Sequence, residues 1–257
     1  MLLEALLATW LAAAGAPPPA PPGGALPAAS PPPPAGAAAC PEDMRLVRGV
    51  HHEQIQRLCT DYRSGHCFAF LPGLVLREPR ASAVETCMDV YEWPNRAGAT
   101  PVVMVRFTEA EQACAGAGKR LCTELEWELG CEGPRAWPWP YGFAARPGAC
   151  NAERPYRPYD PDKLNASDEG LREREVRRLW QGAPSGSFPE CVSPFGVVDL
   201  VGNVEEWVQT SRPEWPHRSA LKGGYWSKPW GACRGTNERH APEFRFYEIG
   251  FRCCRAP

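Results

Sequence analysis

Hydrophobic and polar positions divide the chain into three parts. Residues 2–13 form a short apolar run, followed by small residues at 14–16. The run is too short to span a bilayer as a stable helix and is typical of a signal peptide, which we place at residues 1–16. Residues 17–39 are almost entirely Pro, Ala, Gly and Ser, which cannot bury a core, so we expect a disordered tether. Residues 40–257, where short apolar stretches alternate with Pro and Gly, are expected to form one folded domain.

Within the folded part, two helix starts are each marked by a Thr that is followed three residues later by a Glu. These capping boxes predict helices that begin at Thr108 and Thr123 and end near Ala117 and Leu129. The apolar residues 102–105 predict a short strand. The remainder is punctuated by Pro and Gly, so loops should dominate.

The charges of the chain bear on its partners and on the structure of one polar segment. The net charge is -2, which gives no indication of nucleic acid or an anionic membrane surface as a partner. Residues 163–181 are polar with mixed charges and form either a surface helix or an insertion, with a solvated face favoured. His51 and His52 are adjacent and cannot share one face of a strand, so we expect them to be solvent-exposed.

The cysteines indicate an oxidising compartment. There are 12 of them, with no CxxC pair and no cluster of the 5 His around Cys pairs, which argues against zinc. Disulfides are the expected use of so many cysteines, and they imply that the protein is exported to a periplasm, an envelope or the extracellular space.

Gly- and Trp-rich phrases carry a resemblance to a known family. In chain order they are CMDVYE at 87–92, ACAGAGKRLCTELEWE at 113–128, PYG at 140–142, VDLVGNVEEW at 198–207, KGGYW at 222–226 and GFRCC at 250–254. They resemble the phrases GKRLPTEAEWE, GN-x-WEW, RGGSW and GFR of the formylglycine-generating enzyme (sulfatase-modifying factor) family, of which this looks like an exported bacterial member. The resemblance implies an α+β fold: one irregular, loop-rich domain stapled by disulfides and distantly like C-type lectin domains.

Calcium is the first ligand that the resemblance implies. Asp199 and Glu206 are hard oxygen donors, and Gly202 between them lets the backbone turn sharply. In the family this segment holds a calcium ion, and carried over residue by residue the ligands are Asp199, Gly202, Val204 and Glu206. The alternative is that Asp199 and Glu206 only brace a turn.

The resemblance also implies a redox centre, from which this chain departs. The family's oxidases carry cysteines two and seven residues after the GGSW tryptophan, and two thiolates select Cu(I). Here those positions hold Lys228 and Cys233, and Tyr225 replaces the Ser. One thiolate cannot form a bis-thiolate copper site, and an ammonium group repels the cation, so copper binding is doubtful.

One rescue of the oxidase centre stays open. The resemblance implies a disulfide between Cys114 and Cys253, which leaves Cys254 free to approach Cys233. That pair could bind copper or act as a dithiol, although a plain structural disulfide between them is favoured. The family's other disulfide has no counterpart in this chain. Cys131 therefore needs a different partner, and Cys150 is a candidate.

A binding cleft is the remaining candidate site. In the family this region receives an extended peptide, and the corresponding residues here are Tyr225, Trp226, Lys228, Trp230 and Arg234. Trp207 and Trp226 are more typical of a core, and Arg252 is expected to pair with a buried carboxylate. We therefore predict a protein- or peptide-binding module without oxidase activity. The alternative is a copper- or thiol-dependent oxidase that acts on a protein cysteine or small thiol through Cys233 and Cys254.

Overall fold

The structure is a computed structural model. It describes residues 40–257 except for 64, 74, 211–216 and 229–231, and for 75–79 it describes the backbone alone. The predicted signal peptide and tether lie outside the described residues. Among the residues described, no helix is long and apolar enough to cross a membrane.

Short helices, two long strands and several short strands make up the described chain, with long loops between many of them. In order they are β1 Met44–Gln56, β2 Cys59–Arg63, β3 His66–Phe70, β4 Val75–Asp89, α1 Phe107–Gly116, β5 Arg120–Leu121, α2 Glu124–Glu132, α3 Pro161–Leu164, α4 Glu169–Leu179, β6 Glu205–Gln209, β7 Ser219–Lys222, β8 Thr236–Asn237, β9 Ile249–Phe251 and β10 Cys253–Arg255. This is the irregular α+β architecture that the sequence predicts.

Two four-stranded sheets and one hairpin organise these strands. The first sheet has the order β1-β4-β10-β5, and its pairs are antiparallel. The second has the order β8-β7-β6-β9, with β6 and β9 parallel. Strands β2 and β3 form a separate antiparallel hairpin. Since β6 and β9 carry the GNVEEW and GFR phrases, their pairing brings these two phrases side by side.

Helix α1 starts slightly earlier than predicted. Arg106, not Thr108, is the N-cap, and its backbone N–H donates to the Glu109 carboxylate at 2.7 Å. Phe107, the first helical residue, is fully buried. Burial of this ring extends the helix towards its N-terminus beyond the Thr that the sequence pattern marks.

Helix α2 confirms its predicted start. The Glu126 backbone N–H donates to Thr123 Oγ1 at 3.3 Å, and the Thr123 backbone N–H donates to the Glu126 carboxylate at 2.8 Å. The helix continues to Glu132, one turn past the predicted end at Leu129. Tertiary contacts of its buried last turn account for the extra length, because Glu132 accepts two hydrogen bonds from the Arg234 guanidinium.

The predicted strand at 102–105 is wrong. Val102 donates its backbone N–H to Trp93 O, whereas Met104 donates to Phe246 O. Bonds to two different segments do not make a ladder, and Met104 has a φ of 60°, which ends any extended run. The polar segment at 163–181 contains all of α4, so the helical alternative is correct there.

Six disulfides join all 12 cysteines. The pairs are Cys40–Cys87, Cys59–Cys67, Cys114–Cys253, Cys122–Cys254, Cys131–Cys233 and Cys150–Cys191. The first of the pairings implied by the resemblance, Cys114 with Cys253, is therefore present. The suggested pairing of Cys131 with Cys150 is wrong, because each of these cysteines has a different partner.

Candidate functional site

The Arg252 guanidinium holds the two signature phrases together. It is fully buried, and it donates two hydrogen bonds to the Glu206 carboxylate, from Nε at 2.7 Å and from Nη2 at 2.6 Å. It also donates to the Val198 carbonyl at 3.0 Å and the Asp89 carbonyl at 3.2 Å. Trp127 Nε1 donates to the same Glu206 carboxylate at 2.7 Å. The expected pairing of Arg252 with a buried carboxylate is thus observed, and Glu206 is that carboxylate.

Asn203 joins the loop of the same phrase to neighbouring segments. Its side-chain amide donates to both Glu92 oxygens at 3.0 Å, and its side-chain oxygen accepts from the Ala183 backbone N–H at 2.8 Å. The preceding Gly202 has a φ of 77°, and a Cβ at this position would lie 2.3 Å from the Asn151 carbonyl oxygen. The tight approach of two backbones explains why the turn needs glycine there.

The two carboxylates among the predicted calcium ligands are engaged by protein groups in this arrangement. They lie together in one loop: Asp199, Gly202, Val204 and Glu206. Both carboxylate oxygens of Glu206 are engaged by Arg252, and one of them also accepts from Trp127. Asp199 Oδ2 accepts from the Gly186 backbone N–H at 2.6 Å. Within the described chain, no group of three His, Cys, Asp or Glu side chains converges on a possible metal position. Calcium binding by this loop stays a prediction.

The carboxyl groups of this loop are strongly affected by burial. Burial raises the pKa of Asp199 to about 6, although the Gly186 hydrogen bond and the Arg252 charge act in the opposite direction. Burial also raises the pKa of Glu92 well above its usual value, and the Asp199 and Glu206 charges raise it further. The Arg252 guanidinium therefore balances the charge of Glu206, while burial shifts Asp199 and Glu92 towards the protonated form.

The position of the oxidase centre holds a structural disulfide in place of a thiol. Cys233 is bonded to Cys131, and Cys254 is bonded to Cys122. Both are fully buried. The proposed rescue through a Cys233 and Cys254 pair is therefore wrong, because each sulfur already has another covalent partner.

The predicted binding cleft is largely core. Trp226 is fully buried, and Tyr225 is 5% exposed. Their rings pack against each other at 5.8 Å between centroids, and Tyr247 lies 6.0 Å from the Trp226 ring. Trp180 completes the packing with an edge contact to Trp226 at 4.9 Å. Aromatic rings that are enclosed in this way cannot stack on a ligand, so Tyr225 and Trp226 are corrected from cleft to core.

The other predicted cleft residues lie in different environments or outside the described residues. Arg234 is turned inward, where it makes a bidentate contact with the buried Glu132 carboxylate at 2.6 and 2.7 Å. Trp230 lies outside the described residues. Lys228 is half-buried, and its Nζ lies 5.0 Å from the centre of the Tyr225 ring.

Lys228 lies beside two buried carboxyl groups that sequence reasoning missed. Burial raises the pKa of both Glu205 and Glu248, and the Lys228 charge opposes the rise in each. Glu248 Oε2 is buried and has no hydrogen-bond partner among the residues that the structure describes. The signal for Glu205 was present in the sequence, since it stands where the GN-x-WEW phrase has its first Trp. An acid and a base thus occupy two positions where the family phrases have Trp and Cys.

A second buried polar network corrects the expectation for the histidines. His51 is 1% exposed, and its Nε2 lies 2.6 Å from Glu128 Oε2. The other Glu128 oxygen accepts from Lys222 Nζ at 2.6 Å, and Lys222 also donates to Thr236 Oγ1 at 2.7 Å. Burial by itself would raise the pKa of Glu128, but the Lys222, His51 and Arg234 contributions more than reverse this and hold it well below its usual range.

Comparison with known proteins adds independent findings to this geometry. Residues 76–257 match the family model described as the sulfatase-modifying factor enzyme 1-like domain. The chain is 30% identical over 161 residues to the inactive C-alpha-formylglycine-generating enzyme 2 of Mus musculus, which covers 60% of this chain and 48% of that protein. It is 33% identical over 117 residues to the formylglycine-generating enzyme of Mycobacterium tuberculosis, with 45% of this chain and 35% of that protein covered.

A solved structure supports the same fold. PvdO from Pseudomonas aeruginosa superposes with a TM-score of 0.54 at 19% identity, covering 82% of this chain and 92% of that one. At this identity the likeness concerns the fold alone. The chain spans about half or less of the length of the curated relatives it matches.

Proposed function

The chain belongs to the family of the sulfatase-modifying factor enzyme 1-like domain, and we propose that it is an exported member that binds a peptide or protein and has no oxidase activity. The observation that carries the proposal is the Cys131–Cys233 disulfide together with Lys228. Lys228 and Cys233 stand at the two positions where the resembled oxidases have their thiols.

Copper chemistry is disfavoured by the donor atoms at these positions. Cu(I) is selected by soft thiolate ligands, and a sulfur in a disulfide carries no negative charge to offer it. The ammonium group of Lys228 adds a positive charge beside the same position, which repels a cation. Neither residue can therefore do the work of its counterpart in the resembled enzymes.

Export is supported by the covalent structure. Six disulfides in a chain of this length persist only in an oxidising environment, because cytosolic reductants keep thiols reduced. The apolar run at residues 2–13 supplies a candidate signal for that route.

The test restores the missing ligands one at a time. Cu(I) affinity is measured anaerobically by competition with a chromophoric chelator for the wild type, Lys228→Cys, Cys131→Ala and the double variant Lys228→Cys/Cys131→Ala. Only the double variant has two free thiols at the oxidase positions. We expect it to bind one copper ion at least 100-fold more tightly than the wild type, whereas Lys228→Cys alone gains little, because Cys233 stays in its disulfide.

The same experiment can also contradict the proposal. Tight copper binding by the wild type would overturn the proposal, and so would oxygen consumption by the wild type with a cysteine-containing peptide. Failure of the double variant, provided that it is folded, would show that Lys228 and Cys233 are too far apart to be the counterparts of the two thiols.

A further inference from the structure

A cavity of about 330 Å³ lies between α4 and the irregular segment before α1. Its apolar lining comes from Val103 and Met104 of that segment and from Val176 of α4. The volume is in the range of sites that receive a ligand group or one to two side chains. None of the predicted cleft residues lines it.

Met104 at this cavity adopts a backbone conformation that L-residues rarely take. Its φ is 60°, and its backbone N–H donates to Phe246 O at 3.1 Å. Non-glycine residues in the left-handed region are uncommon and concentrate at binding and catalytic sites. The strained residue and the cavity coincide, although they are independent observations.

The charged rim of the cavity is not balanced. On α4, Arg177 pairs with Glu173 at 3.3 Å, and Arg172 lies 3.7 Å from Glu169. Arg245, which comes from the segment between β8 and β9, is half-buried and makes no hydrogen bond or ion pair with any residue that the structure describes. The charge of Arg245 acts on Glu109 and lowers the pKa of that carboxyl, but the two groups form no ion pair. The half-buried guanidinium is therefore complementary to an anionic ligand group beside an apolar one.

The α4 side of the cavity is long enough to accompany a short stretch of extended chain. The lining residues Glu169, Arg172, Glu173, Val176 and Arg177 follow helical spacing and so share one face. Eight residues of helix rise by about 12 Å, which is the length of about four residues of an extended peptide. Alternating charges along this face suit a backbone and side chains better than a compact small molecule.

We propose that this cavity binds an extended peptide segment that presents an apolar side chain next to an aspartate or glutamate. The apolar side chain enters between Val103, Met104 and Val176, and the carboxylate pairs with Arg245. The proposal rests on the peptide-binding function proposed above and gives it a site distinct from the position of Lys228.

The test is a selection of random nonapeptides, displayed on phage, against the immobilised full chain. Wild type, Arg245→Gln and Arg239→Gln are used in parallel. Arg239 is an exposed arginine six residues away that does not line the cavity, so its variant loses the same charge outside the site. We expect apolar–acidic pairs to be enriched with the wild type and with Arg239→Gln but not with Arg245→Gln. Because Arg245 has no ion pair in the described chain, its replacement should leave the fold intact, which a thermal melt verifies.

Fluorescence anisotropy with the most enriched peptide then measures the contact itself. Arg245→Gln is expected to weaken binding at least tenfold and Arg239→Gln less than twofold. Replacing the acidic residue of the peptide by its amide should weaken binding to the wild type and have little further effect on Arg245→Gln, which identifies the two groups as partners.

The outcomes separate this proposal from the general one. Enriched peptides that bind equally well to Arg245→Gln would overturn this site and leave a peptide-binding function in place. Enrichment of apolar peptides without an acidic residue would overturn the assigned role of Arg245. No enrichment with any of the three proteins would contradict both the site and the peptide-binding function.

Discussion

Two regions of the molecule treat the family phrases in opposite ways. Around Glu206 and Arg252, the side chains that the phrases specify are present, fully buried and bonded to each other. Around Lys228 and Cys233, the chemistry that the phrases imply is replaced by an ammonium group and a disulfide. The difference shows that the contacts that hold this fold are separable from those that perform its oxidation chemistry, so one set can be retained while the other is lost.

The largest effect is expected where the scaffold contact is broken. Arg252→Met leaves the buried Glu206 carboxylate without its cation and should lower the free energy of unfolding by about 3–5 kcal/mol. Urea denaturation measures it. The matched control is Arg48→Met at the exposed Arg48–Glu85 ion pair, for which we expect less than about 1 kcal/mol.

A companion variant sharpens this result. In Arg252→Met/Glu206→Leu neither member of the pair remains charged, so part of the lost stability should return. If the double variant is no more stable than Arg252→Met, the carbonyl hydrogen bonds of Arg252 matter more than its ion pair.

The disulfide at the position of the oxidase centre should contribute a comparable amount. Cys131→Ala/Cys233→Ala opens a loop of 102 residues, and Cys59→Ala/Cys67→Ala opens one of 8. Chain entropy predicts losses of about 4.7 and about 2.5 kcal/mol, respectively. Denaturation of both variants tests this order. Equal losses would indicate that native-state contacts, not loop length, determine what each bridge contributes.

Stability should depend on pH through Asp199. Burial raises its pKa to about 6, above an unfolded value of about 3.9, so its favourable contribution is present below pH 4 and lost as the pH rises through 6. Asp199→Asn carries no charge, can still accept from Gly186 and tolerates the φ of 58°. With chelator present, the variant should match the wild type near pH 4 and exceed it by about 2 kcal/mol at pH 7.5. A difference that does not vary with pH would remove the titration as its cause.

The smallest expected effect is that of calcium. Because Glu206 is engaged by Arg252, adding millimolar calcium to chelator-treated protein should shift the Tm by less than about 1 °C. A site filled at 100 times its Kd would add about 2.7 kcal/mol, which corresponds to several degrees for a domain of this size. A shift of that size, absent from Asp199→Asn, would establish the predicted calcium site despite the ion pair.

Much of the scaffold could be predicted from sequence because its signals are local or carried by whole phrases. The capping box at Thr123 specifies a helix start within four residues, and the family phrases place Trp207 in the core and Arg252 beside a carboxylate. The end of α2 and the start of α1 were missed by a few residues, since tertiary burial of Phe107 and Glu132 decides them.

The candidate site was less predictable because its partners are remote in sequence. Strand alternation puts one of two adjacent histidines inside, and His51 meets Glu128 from 77 residues further along. The partner of Cys233 lies 102 residues away, and spacing contains no information on such a pairing. Glu205 was visible as a departure from a phrase, but its buried setting required the fold.

The adjacent cysteines of β10 could each pair with either of two cysteines, and the fold determines which pairing forms. Cys253 bonds Cys114 at a separation of 139 residues, and Cys254 bonds Cys122 at 132. Loops so similar in length have nearly the same closure entropy, so chain statistics cannot distinguish the native pairs from the swapped ones. Cys253 packs with one hydrophobic cluster and Cys254 with another, as expected for neighbours on opposite faces of a strand. Swapped bridges would require the strand to turn over and expose each face to the wrong cluster. The alternation of side chains along a three-residue strand thus determines which disulfides form. We expect isomers with exchanged bridges to be disfavoured mainly by their packing and not by differences in thiol reactivity.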